Sequence, residues 1–125
     1  MRIYPAIDLK EGKVVRLLQG RMEDATVYGE QPLKIAQEFA GQGAEFLHVV
    51  DLDGAFAGRP VNDGVIRELI AYSGLRIQVG GGIRTLERIE ELLNLGVERV
   101  ILGTVAVRNP QLVAEAVERF GEAIV

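Results

Sequence analysis

The chain has 125 residues, of which 48% are hydrophobic and 26% charged, as expected for one globular domain spanning residues 1–125. Its formal net charge of -4 argues against a nucleic-acid-binding surface, and its lack of cysteine and single histidine argue against a disulfide framework or a histidine-rich zinc site. No apolar run reaches the roughly 18 residues of a membrane span, and no signal-peptide pattern is seen, so we expect a cytoplasmic protein without membrane contact.

Apolar runs of strand length alternate with segments of helical period along the chain. The predicted strands are residues 3–9, 46–52, 75–79 and 97–102, and the predicted helices are residues 32–40, 61–72, 86–95 and 110–120. Residues 12–17 are an extension or a hairpin after the first strand, and residues 123–125 resemble the start of a fifth strand. Pro32 and Pro110 suit first-turn positions, Asn109 is a predicted N-cap, and Thr85 is a partial cap because Arg88 stands where a capping box has Glu.

Strands that are continuous apolar runs, each followed by a helix, are typical of a parallel sheet with crossover helices. A faint repeat relates residues 43–49 to residues 96–102, since in both a helix ends at glycine and a strand begins three residues later. The sequence therefore predicts an α/β fold with four parallel strands in sequential order, a (βα)₄ unit.

Functional groups of such folds lie at the carboxyl ends of the strands. Asp8 ends the first strand, where a carboxylate is a general base, a solvated loop group or a helix-capping group. Asp51 and Asp53 end the second strand, and loop hydrogen bonding is the favoured interpretation for them. His48 lies inside that strand, where a core role is favoured over a functional one.

Glycines at two further strand ends suggest an anion site. The first group includes Gly81 and Gly82, and the second is Gly103 followed by Thr104; both lead toward a helix. Glycine lets the backbone approach an anion, and the following helix offers unpaired N–H groups, although a tight turn is the simpler explanation for either group alone. Two such groups on adjacent strands predict one shared phosphate site.

Arg84, directly after the glycines, and Arg16, in the segment after the first strand, are candidate contacts for a phosphate or a substrate. An exposed surface arginine is the alternative for each, and spacing does not decide between the two.

The motifs together resemble those of the ProFAR isomerases, the (β/α)₈-barrel aldose–ketose isomerases of histidine biosynthesis. The resemblance runs in order along the chain and is carried by residues 5–9, 12–17, 19–20, 48–55, 79–84 and 103–107. The sister cyclase of the same pathway shares the glycine cluster but differs at the first and second strands, so half of that enzyme is the weaker alternative.

The resemblance implies an Amadori rearrangement of a phosphorylated ribotide, from aminoaldose to aminoketose, without cofactor or metal. Asp8 matches the general base that removes the proton from ribose C2. The glycine groups and Thr104 match positions near one of the two substrate phosphates. Arg16, His48 and Arg84 match substrate-contacting positions.

The family has eight strands and about twice this length, and its general acid, an Asp at the end of the fifth strand, would follow Val125. The resemblance therefore implies half of a TIM barrel with little activity alone. We expect it to pair as a homodimer or higher oligomer, or with the complementary C-terminal half. We expect unpaired edges on the first and fourth strands and an apolar face drawn from Ile3, Ile7, Val49, Ile77, Val79 and Val100. A non-catalytic phosphate-binding or self-assembling module is the second functional hypothesis.

Overall fold

The computed structural model describes residues 5–18, 31–53, 61–103 and 108–125, with the backbone alone for residues 16–18. The strands are β1 (Ala6–Lys10), β2 (Lys13–Leu18), β3 (Phe46–Asp51), β4 (Arg76–Gly80) and β5 (Arg99–Ile101). The helices are α1 (Pro32–Gly41), α2 (Asp63–Tyr72), α3 (Leu86–Leu95) and α4 (Pro110–Phe120), the last followed by a 3₁₀ turn at Gly121–Ala123.

The described strands form one sheet in the order β2-β1-β3-β4-β5. β1, β3, β4 and β5 are parallel and neighbour one another in chain order, with helices between them. Parallel strands in sequence, alternating with helices, are the repeating unit of a TIM barrel. The predicted (βα)₄ half-barrel with parallel strands is therefore confirmed.

β2 lies antiparallel to β1 and forms a hairpin with it, as one of the two sequence interpretations proposed. The two turn residues, Glu11 and Gly12, have φ values of 52° and 78°, and positive φ at both positions is what the common two-residue hairpin turns of type I′ require. The hairpin occupies the outer edge of β1. The prediction that this edge is unpaired is wrong, because the chain folds back on it at once.

The outer edge of β5 is also partly paired. Ile124 forms a parallel bridge with Val100, the Val125 N–H donates to the Val100 carbonyl at 3.0 Å, and the Leu102 N–H donates to the Val125 carbonyl at 3.2 Å. The predicted start of a fifth strand is thus present, and the prediction of an unpaired edge on β5 is wrong for the residues around Val100.

The hydrophobic core lies between one face of the sheet and the helices. The strand residues on this face are almost fully buried: Ile7, Leu9, Leu47, Val49, Ile77, Val79 and Val100. Each helix packs its apolar side against this face, through the buried residues Ile35, Ala36, Phe39, Ile66, Leu69, Ile89, Leu92, Leu112 and Ala116. The barrel-interior face was expected to be drawn from a set of six residues, and the five of them that the structure describes lie under the helices instead: Ile7, Val49, Ile77, Val79 and Val100. Ile3 is outside the described residues.

The opposite side of the sheet, here called the inner face, carries the alternate strand residues. These are Ala6, Asp8, Phe46, His48, Val50, Gln78, Gly80 and Ile101, with Arg76 and Arg99 at the amino end. Successive side chains in a strand point to opposite faces, so continuous apolar runs conceal which residues belong to which side. The inner face is a mixture of polar and apolar groups, most of them half-buried, rather than the apolar patch that the sequence suggested.

The first residues of α3 and α4 are capped as the sequence predicts. The Thr85 hydroxyl accepts from the Arg88 N–H at 3.1 Å, and the Asn109 side chain accepts from the Leu112 N–H at 3.1 Å. Both side chains act as N-caps, as predicted, and Pro32 and Pro110 stand in first-turn positions. These caps place the helix N-termini at the carboxyl ends of the parallel strands, where the candidate site lies.

Candidate functional site

Asp8 and His48 lie on the inner face of neighbouring strands. β1 pairs with β3 so that Ala6 is opposite His48 and Asp8 is opposite Val50. Because alternate residues share a face, the Asp8 carboxylate and the His48 imidazole project to the same side of the sheet. Both are half-buried. The sequence interpretation of His48 as a core residue is therefore wrong, since the core lies on the other face.

The environment of His48 perturbs its titration. Burial lowers the pKa of the imidazole below its ordinary value, and the negative charge of Asp8 opposes that shift. A Cβ added at Gly80 would lie 3.6 Å from His48 Cε1, so the small residue at the end of β4 flanks the ring. The site thus places a carboxylate and an imidazole, whose neutral form is favoured by burial, on the same face of neighbouring strands, the pairing that proton transfer uses.

Gly81 follows β4 in a conformation and a space that only glycine fits. Its φ is 102°, and a Cβ built on it would lie 2.7 Å from the Asp51 carbonyl oxygen and 3.1 Å from the Asp51 nitrogen. Such separations are well inside van der Waals contact, so any side chain there would displace backbone. The close approach of two backbones fixes where the turn after β4 lies relative to the end of β3.

Asp51 and Asp53 are joined by the buried side chain of Asn62. Its Nδ2 donates to Asp51 Oδ1 at 2.7 Å and to Asp53 Oδ2 at 2.9 Å. Its Oδ1 accepts from the Gly12 N–H at 2.8 Å, and Asp53 Oδ2 also accepts from the Glu11 N–H at 2.6 Å. The interpretation of both aspartates as loop hydrogen-bonding groups is confirmed.

Arg88 extends this polar network to two helices. Its guanidinium donates to both oxygens of Asp63, at 2.8 and 2.6 Å, and to Glu91 at 3.3 Å. It also lies 3.9 Å from Asp51 Oδ2. The hydrogen bond to Asp63 raises the pKa of Arg88, while burial opposes that effect. Arg88 stands where a capping glutamate is usual because its side chain instead ties α3 to the first residue of α2.

The remaining predicted site residues are dispersed or only partly described. Gly82 has a positive φ of 70° directly after Gly81, as a backbone cradle requires. Gly103 is exposed, and none of the residues that the structure describes fills the space where its Cβ would be; Arg84 is exposed beside the glycine turn. Only the backbone of Arg16 is described, opposite Asp8 in the hairpin, and Thr104 lies outside the described residues.

Within the described ranges, no group of three or more His, Asp or Glu side chains could hold a metal ion. The carboxylates of Asp51 and Asp53 both accept hydrogen bonds from the amide N–H₂ group of Asn62. None of the described helices is long and apolar enough to cross a membrane.

Sequence reasoning missed Asn62 and the ion pair of Arg88. Asn62 is 0% exposed, although asparagine is usually a surface residue and the preceding segment gave no sign of a buried turn. One signal was available for Arg88, because an arginine at the third helical position after a threonine cap is an unusual choice. Its partner, 25 residues earlier in the chain, could not be identified without the fold.

Comparison of the sequence with known proteins identifies the family to which the chain belongs. The family model described as histidine biosynthesis protein matches residues 2–125. A protein of Desulfitobacterium hafniense is 79% identical over 125 residues, and proteins of Moorella thermoacetica and Lachnoclostridium phytofermentans are each 56% identical, over 125 and 121 residues. All three are named 1-(5-phosphoribosyl)-5-((5-phosphoribosylamino)methylideneamino)imidazole-4-carboxamide isomerase, or ProFAR isomerase.

The relatives are longer than this chain. The match covers 97–100% of the chain but only 50 or 51% of each of these three relatives, so the chain spans about half the length of the curated relatives it matches. The relatives are enzymes of histidine biosynthesis whose family has the TIM-barrel fold, which agrees with the half-barrel topology. The sequence match and the topology lead to one conclusion: the chain belongs to the histidine biosynthesis protein family and corresponds to the N-terminal half of its ProFAR isomerases.

Proposed function

We propose that this chain supplies the half of a ProFAR isomerase site that contains the general base. The proposed reaction is the Amadori rearrangement of the phosphorylated ribotide, in which Asp8 removes the proton from ribose C2. The observation that carries the proposal is the position of Asp8, half-buried on the inner face and close enough to His48 for its charge to act on the imidazole. A base in such a place is shielded from bulk water and directed at the barrel interior.

The proposed roles of the other residues follow from where they lie. His48, with a lowered pKa, is neutral near pH 7 and able to accept or donate one hydrogen bond to a substrate hydroxyl. Arg16, opposite Asp8 in the hairpin, and Arg84, beside the glycine turn, are proposed substrate contacts. We assign no metal or cofactor to the site.

We propose a phosphate site at Gly81, Gly82, Gly103 and Thr104. Positive φ at the first two glycines, together with the N-terminus of α3 that follows them, supports a backbone cradle for an oxyanion. Titration with inorganic phosphate and with ribose 5-phosphate, followed by backbone amide shifts, tests the assignment. We expect these four amides to shift most, and larger shifts elsewhere would contradict it.

The chain alone is proposed to have little or no isomerase activity. The reaction needs an acid as well as a base. The resemblance implies that the family's acid would follow Val125, and the chain matches only 50% of the length of its Desulfitobacterium hafniense relative. Turnover of the ribotide is measured with the chain alone and with a complementary C-terminal half added. We expect activity only in the mixture, and none in either sample would count against the proposal.

A phosphate-binding module without catalysis is the second candidate, because the glycine turn does not need Asp8. The two functions differ in one measurement. A phosphate-binding module would show phosphate-induced amide shifts and no turnover in the mixture, whereas the isomerase half requires both.

The proposed partner is the complementary half of a barrel rather than a second copy. The inner face combines apolar residues with Asp8 and His48, and exposed Arg76 and Arg99 lie at its amino end. In a two-fold pair of identical chains, both copies would bring Arg99 to the same end, where like charges repel, whereas the charge of Arg76 is balanced by its ion pair with Glu98. Sedimentation equilibrium separates the partners, since we expect a one-to-one complex in the mixture at concentrations where the chain alone is monomeric. A stable homodimer would overturn this choice.

The cytoplasm is the proposed compartment, on the strength of the biosynthetic role that the relatives' names imply. A fusion to a fluorescent protein that accumulated outside the cytoplasm would contradict it.

A further inference from the structure

The turn between β1 and β2 is held by side chains from elsewhere in the chain. Glu11, which is not glycine, has a φ of 52°, a conformation that is uncommon for such a residue. Its N–H donates to Asp53 Oδ2, and the N–H of Gly12 donates to Asn62 Oδ1. The acceptors lie 42 and 50 residues away in sequence, so both turn amides depend on tertiary contacts.

Asn62 is the centre of this arrangement. It occupies the N-cap position of α2, yet its side chain makes no capping hydrogen bond to that helix. The side chain is fully buried and is used instead between the hairpin turn and the end of β3, where Asp51 and Asp53 accept from its amide. A buried amide whose donor and acceptor atoms all have partners fixes the groups around it in one geometry.

The hairpin that Asn62 holds carries two proposed site residues. Asp8 on β1 and Arg16 on β2 are opposite each other in the register, and the register shifts between Asp8 and Leu9. The extra residue of this β-bulge is Val15 on β2, so the bulge changes the direction of β2 beside Asp8, while the regular ladder with β3 keeps Asp8 on the inner face. In a hairpin with a two-residue turn, the position of the turn sets the register.

We propose that Asn62 is a positioning residue, which holds the β1–β2 turn against the end of β3 and so keeps Asp8 opposite Arg16. This inference rests on the proposed function in one respect, the assignment of Asp8 as the general base. The hydrogen bonds of the Asn62 side chain join the hairpin turn to Asp51 and Asp53, so its proposed action on Asp8 is through the hairpin.

Amide hydrogen exchange of the whole chain, measured by NMR, tests the proposal with the Asn62→Ala variant. We expect the protected amides of β1 and β2 to exchange about tenfold faster or more relative to those of α3 and α4, since a buried hydrogen-bond centre is lost. We also expect the cross-strand NOEs between Asp8 and Arg16 to weaken. Exchange that rises equally throughout the chain would mean only lower global stability and would overturn the proposal.

Asn109→Ala is the matched control. Asn109 is also an asparagine at a helix start, but its side chain caps α4 and lies away from the hairpin. We expect its hairpin exchange, relative to the rest of the chain, to stay within about twofold of the wild type. A hairpin response as large as that of Asn62→Ala would contradict the assigned role.

Asp53→Ala provides a milder variant if Asn62→Ala does not fold. Asp53 is half-buried and accepts from the Glu11 N–H and from Asn62, so its loss removes one side of the turn support. We expect the same spatial pattern of faster exchange with a smaller amplitude. Unchanged hairpin exchange in Asp53→Ala would overturn the proposal.

Turnover in the presence of the complementary half separates this inference from the proposed function. If the wild-type mixture is active, Asn62→Ala is expected to lower kcat about tenfold with KM within about threefold, because the base is misplaced while the phosphate site is kept. An unchanged kcat would contradict the positioning role. An inactive wild-type mixture would count against the proposed function, and the exchange pattern would still decide the role of Asn62.

Discussion

Replacing Gly81 with alanine should cost more than the backbone conformation alone explains. The φ of 102° is unfavourable for alanine, by about 1–3 kcal/mol. The new Cβ would also lie 2.7 Å from the carbonyl oxygen of Asp51, a residue that is 1% exposed and whose side chain is bonded to Asn62. Overpacking of this kind costs about 1–3 kcal/mol more, so we expect Gly81→Ala to lower the free energy of unfolding by about 2–6 kcal/mol.

Gly43→Ala separates the two contributions. Gly43 has a φ of 100°, almost the same as that of Gly81, but among the described residues nothing lies within 4 Å of the position that an alanine methyl group would take there. Urea unfolding of both variants should show a loss of about 1–3 kcal/mol for Gly43→Ala and a loss at least about 1 kcal/mol larger for Gly81→Ala. Equal losses would refute the reasoning, because the close contact with Asp51 would then carry no cost.

Two further predictions concern charged and titrating groups. Arg88→Met should lower the free energy of unfolding, measured in urea, by about 1.5–3 kcal/mol, because it breaks a bidentate, mostly buried ion pair with Asp63. Arg119→Met removes an exposed ion pair with Glu90 and should change this free energy by less than about 1 kcal/mol. Similar effects of the two substitutions would contradict the assigned burial of Arg88. The pKa of His48 is lower in the folded chain than in the unfolded chain, so as the pH falls the imidazole is protonated in the unfolded chain before it is in the folded chain. The free energy of unfolding should therefore decrease as the pH drops from about 6.5 toward the folded pKa. His48→Gln should flatten that slope at pH values above about 5, before most carboxylates titrate, and an unchanged slope would show that another group causes it.

Most of the fold could be predicted because the local signals agree with one another. The predicted third helix begins and ends where α3 does, since Thr85 caps one end and Gly96, in a left-handed conformation, terminates the other. The predicted second helix began two residues early, because residues 61 and 62 are a turn in which Asn62 serves the β1–β2 hairpin. A side chain with a distant partner gives no periodic signal.

The two faces of the sheet could not be assigned from the sequence. Val49 and Val50 are adjacent valines, yet the first is fully buried beneath the helices and the second lies half-buried on the inner face. Only the packing of the helices decides which of the two alternating sets is covered. Asp8 is the third of the five residues of β1 and does not end the strand, in contrast to the sequence prediction. It was nevertheless identified as a candidate base, because a carboxylate toward the carboxyl end of a parallel strand is informative on either face.

The most direct test of the central claim is the loss of the ribose C2 proton in a mixture of this chain and a complementary C-terminal half. Isomerisation of ProFAR is followed with unlabelled and with C2-deuterated substrate, for the wild-type chain and for Asp8→Asn. We predict that deuterium slows the wild-type reaction and that Asp8→Asn lowers its rate by about 10²–10⁴. An Asp8→Asn chain that converted the substrate at the wild-type rate would show that the base lies elsewhere and would contradict the proposed role of Asp8.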